Sequence, residues 1–203
     1  MSDSGGFREN IQAYIAREAL PVEKFGHQPR LYELPRQVGA NLNYDDDVVF
    51  AAAWLHDLGV FTGHRPEDLA ALAVWDNVAY AMDRAPSILR ELEFPEEKIG
   101  AVVEAIRTHQ PGADPTTLEG IILRDADLLE QLGAIGILRT VCKIGRDTRF
   151  PTFTAAVDSL RKAVTQLPGR LQLETSIALG RPKIELLESF LKRIDQEAKD
   201  NLH

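Results

Sequence analysis

Apolar residues recur three and four positions apart along most of the chain, and no segment of strand length alternates convincingly. That spacing turns one face of a helix inward, so the expected fold class is all-α. Residues 7–18 place Phe7, Ile11, Tyr14 and Ile15 together, and residues 29–42 place Leu31, Leu34 and Val38 on one face. Pro29 stands near the start of that second segment, and Pro35 predicts a kink or split within it. Asp45, Asp46 and Asp47 precede an apolar run from Val48 to Leu58 and suit a helix start. Gly59 and Gly63 mark a loop, after which Pro66, Glu67 and Asp68 open a helix to about Asp83. Pro86 to Leu92 reads as a short helix. A helix over 95–109 is closed by Pro111-Gly112, and Thr116 or Thr117 caps another over 117–132. Gly133 and Gly136 loosen the stretch after them. Helices over 152–166 and 181–200 complete the pattern, with Pro168-Gly169 and Gly180-Arg181-Pro182 as breaks.

Composition narrows the class. The chain has 203 residues, 44% of them apolar, which suffices for a real core and excludes a disordered chain. No repeat or linker interrupts it, so a flexible N-terminus over 1–6 and a single helical domain over 7–203 are expected. With 23 basic and 31 acidic residues the net charge is −8, which argues against a broad nucleic-acid face. Cys142 is the one cysteine, so neither an intrachain disulfide nor a thiolate zinc site forms. Met1 to Gly6 lacks the basic-then-apolar pattern of a secretory leader, and no run of about 18 apolar residues suggests a membrane span. A cytoplasmic protein without membrane contact is expected.

Chemistry enters with the histidines. Of five, His27, His56, His64 and His109 fall in the first 109 residues, and only His203 lies beyond. The run Val48–Leu58 is apolar all round, so it should be buried on every side, yet it ends in His56-Asp57. A buried carboxylate must be paired, hydrogen-bonded or metal-bound, and imidazole plus carboxylate suits a transition metal. Adjacent helical residues point about 100° apart, so both reach one cation only from a corner position. Taken alone, the pair reads first as a structural hydrogen bond at a helix end, and His27 as an exposed loop residue. His109 continues the apolar face of Ile99, Val102, Val103 and Ile106 at a helix end. In Ile121–Glu130, periodicity selects Asp125 as the buried acid and turns Asp127 nearly opposite; a helix packed on two sides buries both.

Together, His27, His56-Asp57 and Asp127 form an ordered H…HD…D pattern. Here the sequence resembles the HD-domain metal-dependent phosphohydrolases. His27-Gln-Pro-Arg30 resembles the family's histidine with an arginine three residues on, and Ala52-Ala53-Trp54-Leu55-His56-Asp57-Leu58-Gly59 its central motif. Asp125 to Glu130, Gly133 to Arg139 and the tail from Leu173 to Glu197 resemble one bacterial subgroup.

The resemblance implies an HD-type helical bundle, with a metal-binding core over about 22–140 and C-terminal helices over about 150–200. It implies His27, His56, Asp57 and Asp127 as ligands of one divalent ion (Mn, Fe, Ni, Co, Zn or Mg). It selects Asp127 where periodicity selects Asp125. Four ligands leave open positions for water and a phosphate oxygen. Several relatives carry an acid shortly after His-Asp; here Gly59, Val60 and Phe61 stand in those positions, so His64 becomes the nearest proton donor, with Glu67 or Asp68 next. Asp57, His64 and His109 form the expected catalytic set. Arg30, Arg124, Arg139 and His109 are expected to receive phosphate, since guanidinium matches it with paired hydrogen bonds. The activity implied is hydrolysis of a phosphoester or phosphoanhydride in a small phosphorylated substrate, a nucleotide in the first instance. The alternatives are a dinuclear cyclic-nucleotide or dinucleotide phosphodiesterase and a non-catalytic nucleotide- or metal-binding sensor. A homodimer stays open.

Overall fold

Among the described residues ten α-helices carry the chain, as the apolar spacing predicts. A computed structural model describes residues 6–21, 25–145, 149–199 and 201–202. The helices are α1 Gly6–Glu18, α2 His27–Val38, α3 Asp46–Leu55, α4 Leu69–Ala73, α5 Asn77–Glu91, α6 Glu96–Thr108, α7 Leu118–Gln131, α8 Gly133–Val141, α9 Phe153–Gln166 and α10 Glu174–Ala198. Single 3-10 turns stand at Leu58–Val60 and Pro168–Arg170. No β-strand occurs among the described residues. No described helix is long and apolar enough to cross a membrane. Residues 1–5, most of the expected flexible N-terminus, lie outside the described residues. The chain divides into two compact units, Met1–Arg124 and Asp125–His203. The division falls inside α7, and so inside the expected metal-binding core.

In the first unit α3 is the central element, packed by α1, α2 and α6, while α5 packs on α6. Every residue from Val48 to Leu55 is buried. The Asp45 side chain accepts from the amides of Asp47 and Val48 at 3.0 and 3.3 Å, which starts the helix as the acidic triplet predicts. Arg8 of α1 ties three helices together, donating to Tyr32 of α2 at 2.9 Å and to Asp46 of α3 at 2.8 Å. Its guanidinium also covers the Phe50 ring at 4.7 Å. In the second unit α8, α9 and α10 pack on one another, and Arg161 of α9 pairs with Asp195 of α10 at 2.5 Å.

Five element boundaries read from the sequence differ in the structure. The helix expected over Pro66–Asp83 is two, because Asp76 accepts from Val78 and Ala79 amides at 3.0 and 2.9 Å and starts α5 afresh. Pro86 lies inside α5 and Pro182 inside α10. There the buried faces, Ala81, Ala85, Ile88 and Leu89 in one and Gly180, Leu187 and Leu191 in the other, outweigh one missing amide donor. Gly133 takes a positive φ of 70° and turns the chain, but the stretch after it is helix α8. The apolar run expected to stay helical to Leu58 ends at Leu55, a difference that shapes the site.

The Asp45-Asp47-Lys98 cluster makes one pH prediction. Burial alone would raise the Asp47 carboxyl, but hydrogen bonds from Lys98 and Arg8 outweigh it and hold the group below the usual carboxylate range. A depressed folded value means that its stabilisation is present above about pH 4 and lost as pH falls through the folded value. Asp47→Asn is expected to cost on the order of 1 kcal/mol at pH 7, with the gap closing as pH falls below the usual carboxylate range. Urea midpoints across that range check it; a gap of the same size at both ends contradicts it.

Candidate metal centre

The end of α3 supplies two donors and the start of α2 a third. His56 caps α3 with helical backbone angles, and Asp57 then leaves the helix at φ −96° and ψ 13°. That bridge-region bend is frequent in active sites. It removes the 100° offset of neighbouring helical residues and turns the Asp57 carboxylate to the same side as His56. His27 is the first residue of α2. Its Nε2 lies 3.3 Å from His56 Nε2 and 3.4 Å from Asp57 Oδ2, and His56 Nε2 lies 3.6 Å from that same oxygen. Among the described residues this is the one group of three or more metal-ligating side chains with donor atoms drawn together.

The donors suit a cation. His56 Nδ1 lies 2.9 Å from the Ala53 carbonyl, which only accepts, so Nδ1 carries the proton and Nε2 offers its lone pair toward the cluster. His27 and His56 are buried, and the Asp57 side chain is 22% exposed, leaving an approach from solvent on the carboxylate side. Nitrogen and oxygen ligands lie about 2.0–2.2 Å from a divalent transition metal, so three donors around one ion stand roughly 3–3.5 Å apart. The three atoms match that spacing, and the residues present fit a divalent ion.

His109 flanks the cluster without joining the group of three. It caps the C-terminus of α6, its ring centroid 4.9 Å from that of His56. Its Nδ1 donates to the Ile106 carbonyl at 2.6 Å, so neutral His109 keeps Nε2 as its acceptor. His56 and His109 are thus oriented alike, each by the carbonyl three residues earlier. No side-chain pattern signals those two partners, because they are backbone atoms.

The other expected residues are placed differently. His64 has both ring nitrogens engaged, Nδ1 with Tyr80 Oη at 2.9 Å and Nε2 with Glu18 at 3.0 Å. It braces the loop after Asp57 and stands outside the cluster. Burial alone would raise the Glu18 carboxyl, but Arg17 and His64 together hold it below the usual range. Arg30 is exposed on α2, three residues beyond His27. Arg124 is 1% exposed and donates Nη1 to the Ala113 carbonyl at 2.7 Å, so it faces a loop rather than solvent, contrary to its expected phosphate role. Arg139 pairs with the buried carboxylate of Glu130. In the second unit both acids of Asp125-Ala126-Asp127 are buried. Asp125 accepts from the amides of Gln172 and Leu173, and Asp127 from Gln131 Nε2 at 2.9 Å.

Tyr80, Trp75 and Glu18 are not legible in the sequence as site supports. Trp75 Nε1 donates to the Gly59 carbonyl at 2.8 Å, two residues beyond Asp57. A Cβ on Gly59 would stand 2.6 Å from the Asn77 carbonyl oxygen and 2.7 Å from its Cα. Backbone does not yield as a side chain does, so Gly59→Ala is expected to cost about 1–3 kcal/mol and to weaken metal binding through Asp57. Thermal melting and metal titration read both effects. An unchanged melting temperature would show that α5 gives way.

Known proteins share this fold. Residues 25–132 match the family model of the HD domain, a span that includes all four expected ligands. No curated protein matches. Among solved structures, a Lactobacillus plantarum protein superposes with a TM-score of 0.74 at 19% identity, covering 97% of this chain and 98% of its own. A predicted HD superfamily hydrolase from an uncultured Thermotogales bacterium gives 0.64 at 22% identity, covering 93% and 91%. Bacillus subtilis YpgQ, solved in complex with ADP, gives 0.68 at 20% identity, covering 94% of each chain.

Proposed function

The chain belongs to the HD domain family, and from that premise we propose that it is a metal-dependent phosphohydrolase acting on a phosphoester or phosphoanhydride, with a nucleotide as substrate. The observation that carries this reading is the triangle of His27, His56 and Asp57 donor atoms with the lone pair of His56 Nε2 presented to it. The ADP held by Bacillus subtilis YpgQ supports a nucleotide.

In this reading His27, His56 and Asp57 hold the ion, and the family motif assigns Asp127 as the fourth ligand. A divalent ion there supplies Lewis acidity toward a phosphoryl oxygen and activation of water. His109, beside His56, contacts phosphate, accepting a proton at Nε2 when neutral and donating from it when protonated. Arg30 offers an exposed guanidinium to the same charge. The Ala53 and Ile106 carbonyls keep both rings in one tautomer. His64 supports the loop rather than moving the proton.

The sensor reading keeps one observation in its favour. His64, nearest to the position where relatives carry an acid, is engaged on both ring nitrogens. One experiment separates the readings. Purified protein is assayed for bound metal, then offered nucleoside mono-, di- and triphosphates and cyclic nucleotides with manganese, cobalt, nickel or magnesium. One metal per chain with turnover supports the proposal. Two metals at full occupancy identify the dinuclear phosphodiesterase, and tight binding without turnover the sensor. Neither metal nor nucleotide binding overturns all three.

A further inference from the structure

We propose that Arg124 is a positioning residue, one that sets the place of the His109 ring by clamping the turn after it; this rests on the reading that His109 serves the site. His109 ends α6, and the chain beyond it to Thr117 forms no helix. Within α6 the ring is held by one hydrogen bond, to Ile106. The turn closes on itself where the Ala113 amide donates to the Gln110 carbonyl at 3.0 Å. The Arg124 guanidinium donates to that same Ala113 at its carbonyl, 2.7 Å away. This bond is charge-assisted and runs from a buried guanidinium to a half-buried turn.

A second contact comes from the same face of α7. Gly120 lies one turn before Arg124, and i and i+4 share a face. A Cβ there would stand 2.9 Å from Thr108 Oγ1 and 3.2 Å from Pro115 Cβ. Thr108 immediately precedes His109, is fully buried, and donates its hydroxyl to the Glu104 carbonyl at 2.8 Å. The first half of α7 therefore touches the chain on both sides of His109, through Gly120 before it and Arg124 after it. His109 in turn lies against His56, and displacements of about 1 Å at a reacting centre cost on the order of 100-fold in rate.

The test uses the full chain with Arg124→Met, Arg124→Lys and Gly120→Ala, each alone and combined with His109→Ala. Histidine ring NMR is the first readout. Arg124→Met is expected to shift or broaden the His109 ring signals while those of His64 hold. Arg124→Lys should restore them in part, since a charged donor remains. Gly120→Ala, which crowds Thr108 instead of freeing Ala113, gives the same signature and serves if the Met variant fails to fold. Unmoved His109 signals in both variants overturn the proposal. Nucleotide turnover is the second readout. Arg124→Met should lower it on the order of 10- to 100-fold in the parent and have little further effect once His109 is alanine. Additive losses overturn the proposal, as does a raised KM with unchanged kcat, which is the mark of a direct phosphate contact. Should the parent hydrolyse no nucleotide, the phosphohydrolase reading fails and the ring signals alone decide the role of Arg124.

Discussion

Asp57→Ala is expected to abolish both metal retention and hydrolysis, with turnover falling on the order of a thousandfold or more. The carboxylate is the one anionic member of the triangle, 3.4 and 3.6 Å from the two histidine nitrogens. Without it, the triangle keeps only its two imidazoles, Asp127 is the one anionic ligand left to hold a dication, and the electrostatic stabilisation at the reacting phosphoryl group goes with the metal. The fold should survive, because the side chain is partly exposed and the bend at Asp57 is made by backbone. Circular dichroism and melting should therefore match the parent stripped of metal by a chelator. Asp57→Asn separates charge from shape, since it keeps an oxygen donor and loses the anion. It should retain little metal at micromolar concentrations. A variant at Asp57 that holds metal and turns over substrate as the parent does would remove this residue from the site.

The largest expected effect on stability comes from Asp125. Its carboxylate is fully buried and accepts from Gln172 at 3.1 Å and from Leu173 at 2.9 Å. Those amides belong to the N-cap Leu173 and the residue before it, just ahead of the 25-residue helix α10, so an acid from α7 holds the start of that helix from outside. Hydrogen bonds to a charged group are worth about 1.5–3 kcal/mol each, and the helix dipole adds about 0.3–1 kcal/mol. Asp125→Ala is expected to cost about 3–4 kcal/mol in urea unfolding, and Asp125→Asn roughly half of that. Amide exchange at Gln172 and Leu173 should quicken well before that of the α10 centre. A loss under about 1 kcal/mol for the alanine variant would mean that water replaces the cap without penalty.

The contrast between Asp125 and Asp127 shows how far side-chain spacing reaches. Periodicity places Asp125 in the apolar stripe, and the carboxylate is indeed fully buried. What it does there, capping a helix some 47 residues later, carries no local signature, because the partners are backbone amides. The arginines obey the same rule. Arg139 stands in, and Arg124 directly before, a stretch that resembles a phosphohydrolase subgroup, yet one meets Glu130 and the other a loop carbonyl. His64 is next in line for a proton donor by sequence distance and is claimed by Glu18 and Tyr80 from other helices.

Periodic apolar spacing fixes helix identity here, since each amphipathic stretch must turn one face inward, and the caps Asp45 and Thr117 act where their side chains predict. The ordered His27, His56-Asp57 motif likewise names three donors that meet in space, because a buried carboxylate beside imidazole demands a partner. Tertiary packing settled the rest. It ended α3 at Leu55, so that Asp57 turns onto the same side as His56. It carried helices through Pro86 and Pro182, where burial of a whole face outweighs one lost hydrogen bond. It also chose a partner for each buried polar group. A chain's own pattern states which side chains must leave water; which atoms receive them depends on elements that are distant in sequence.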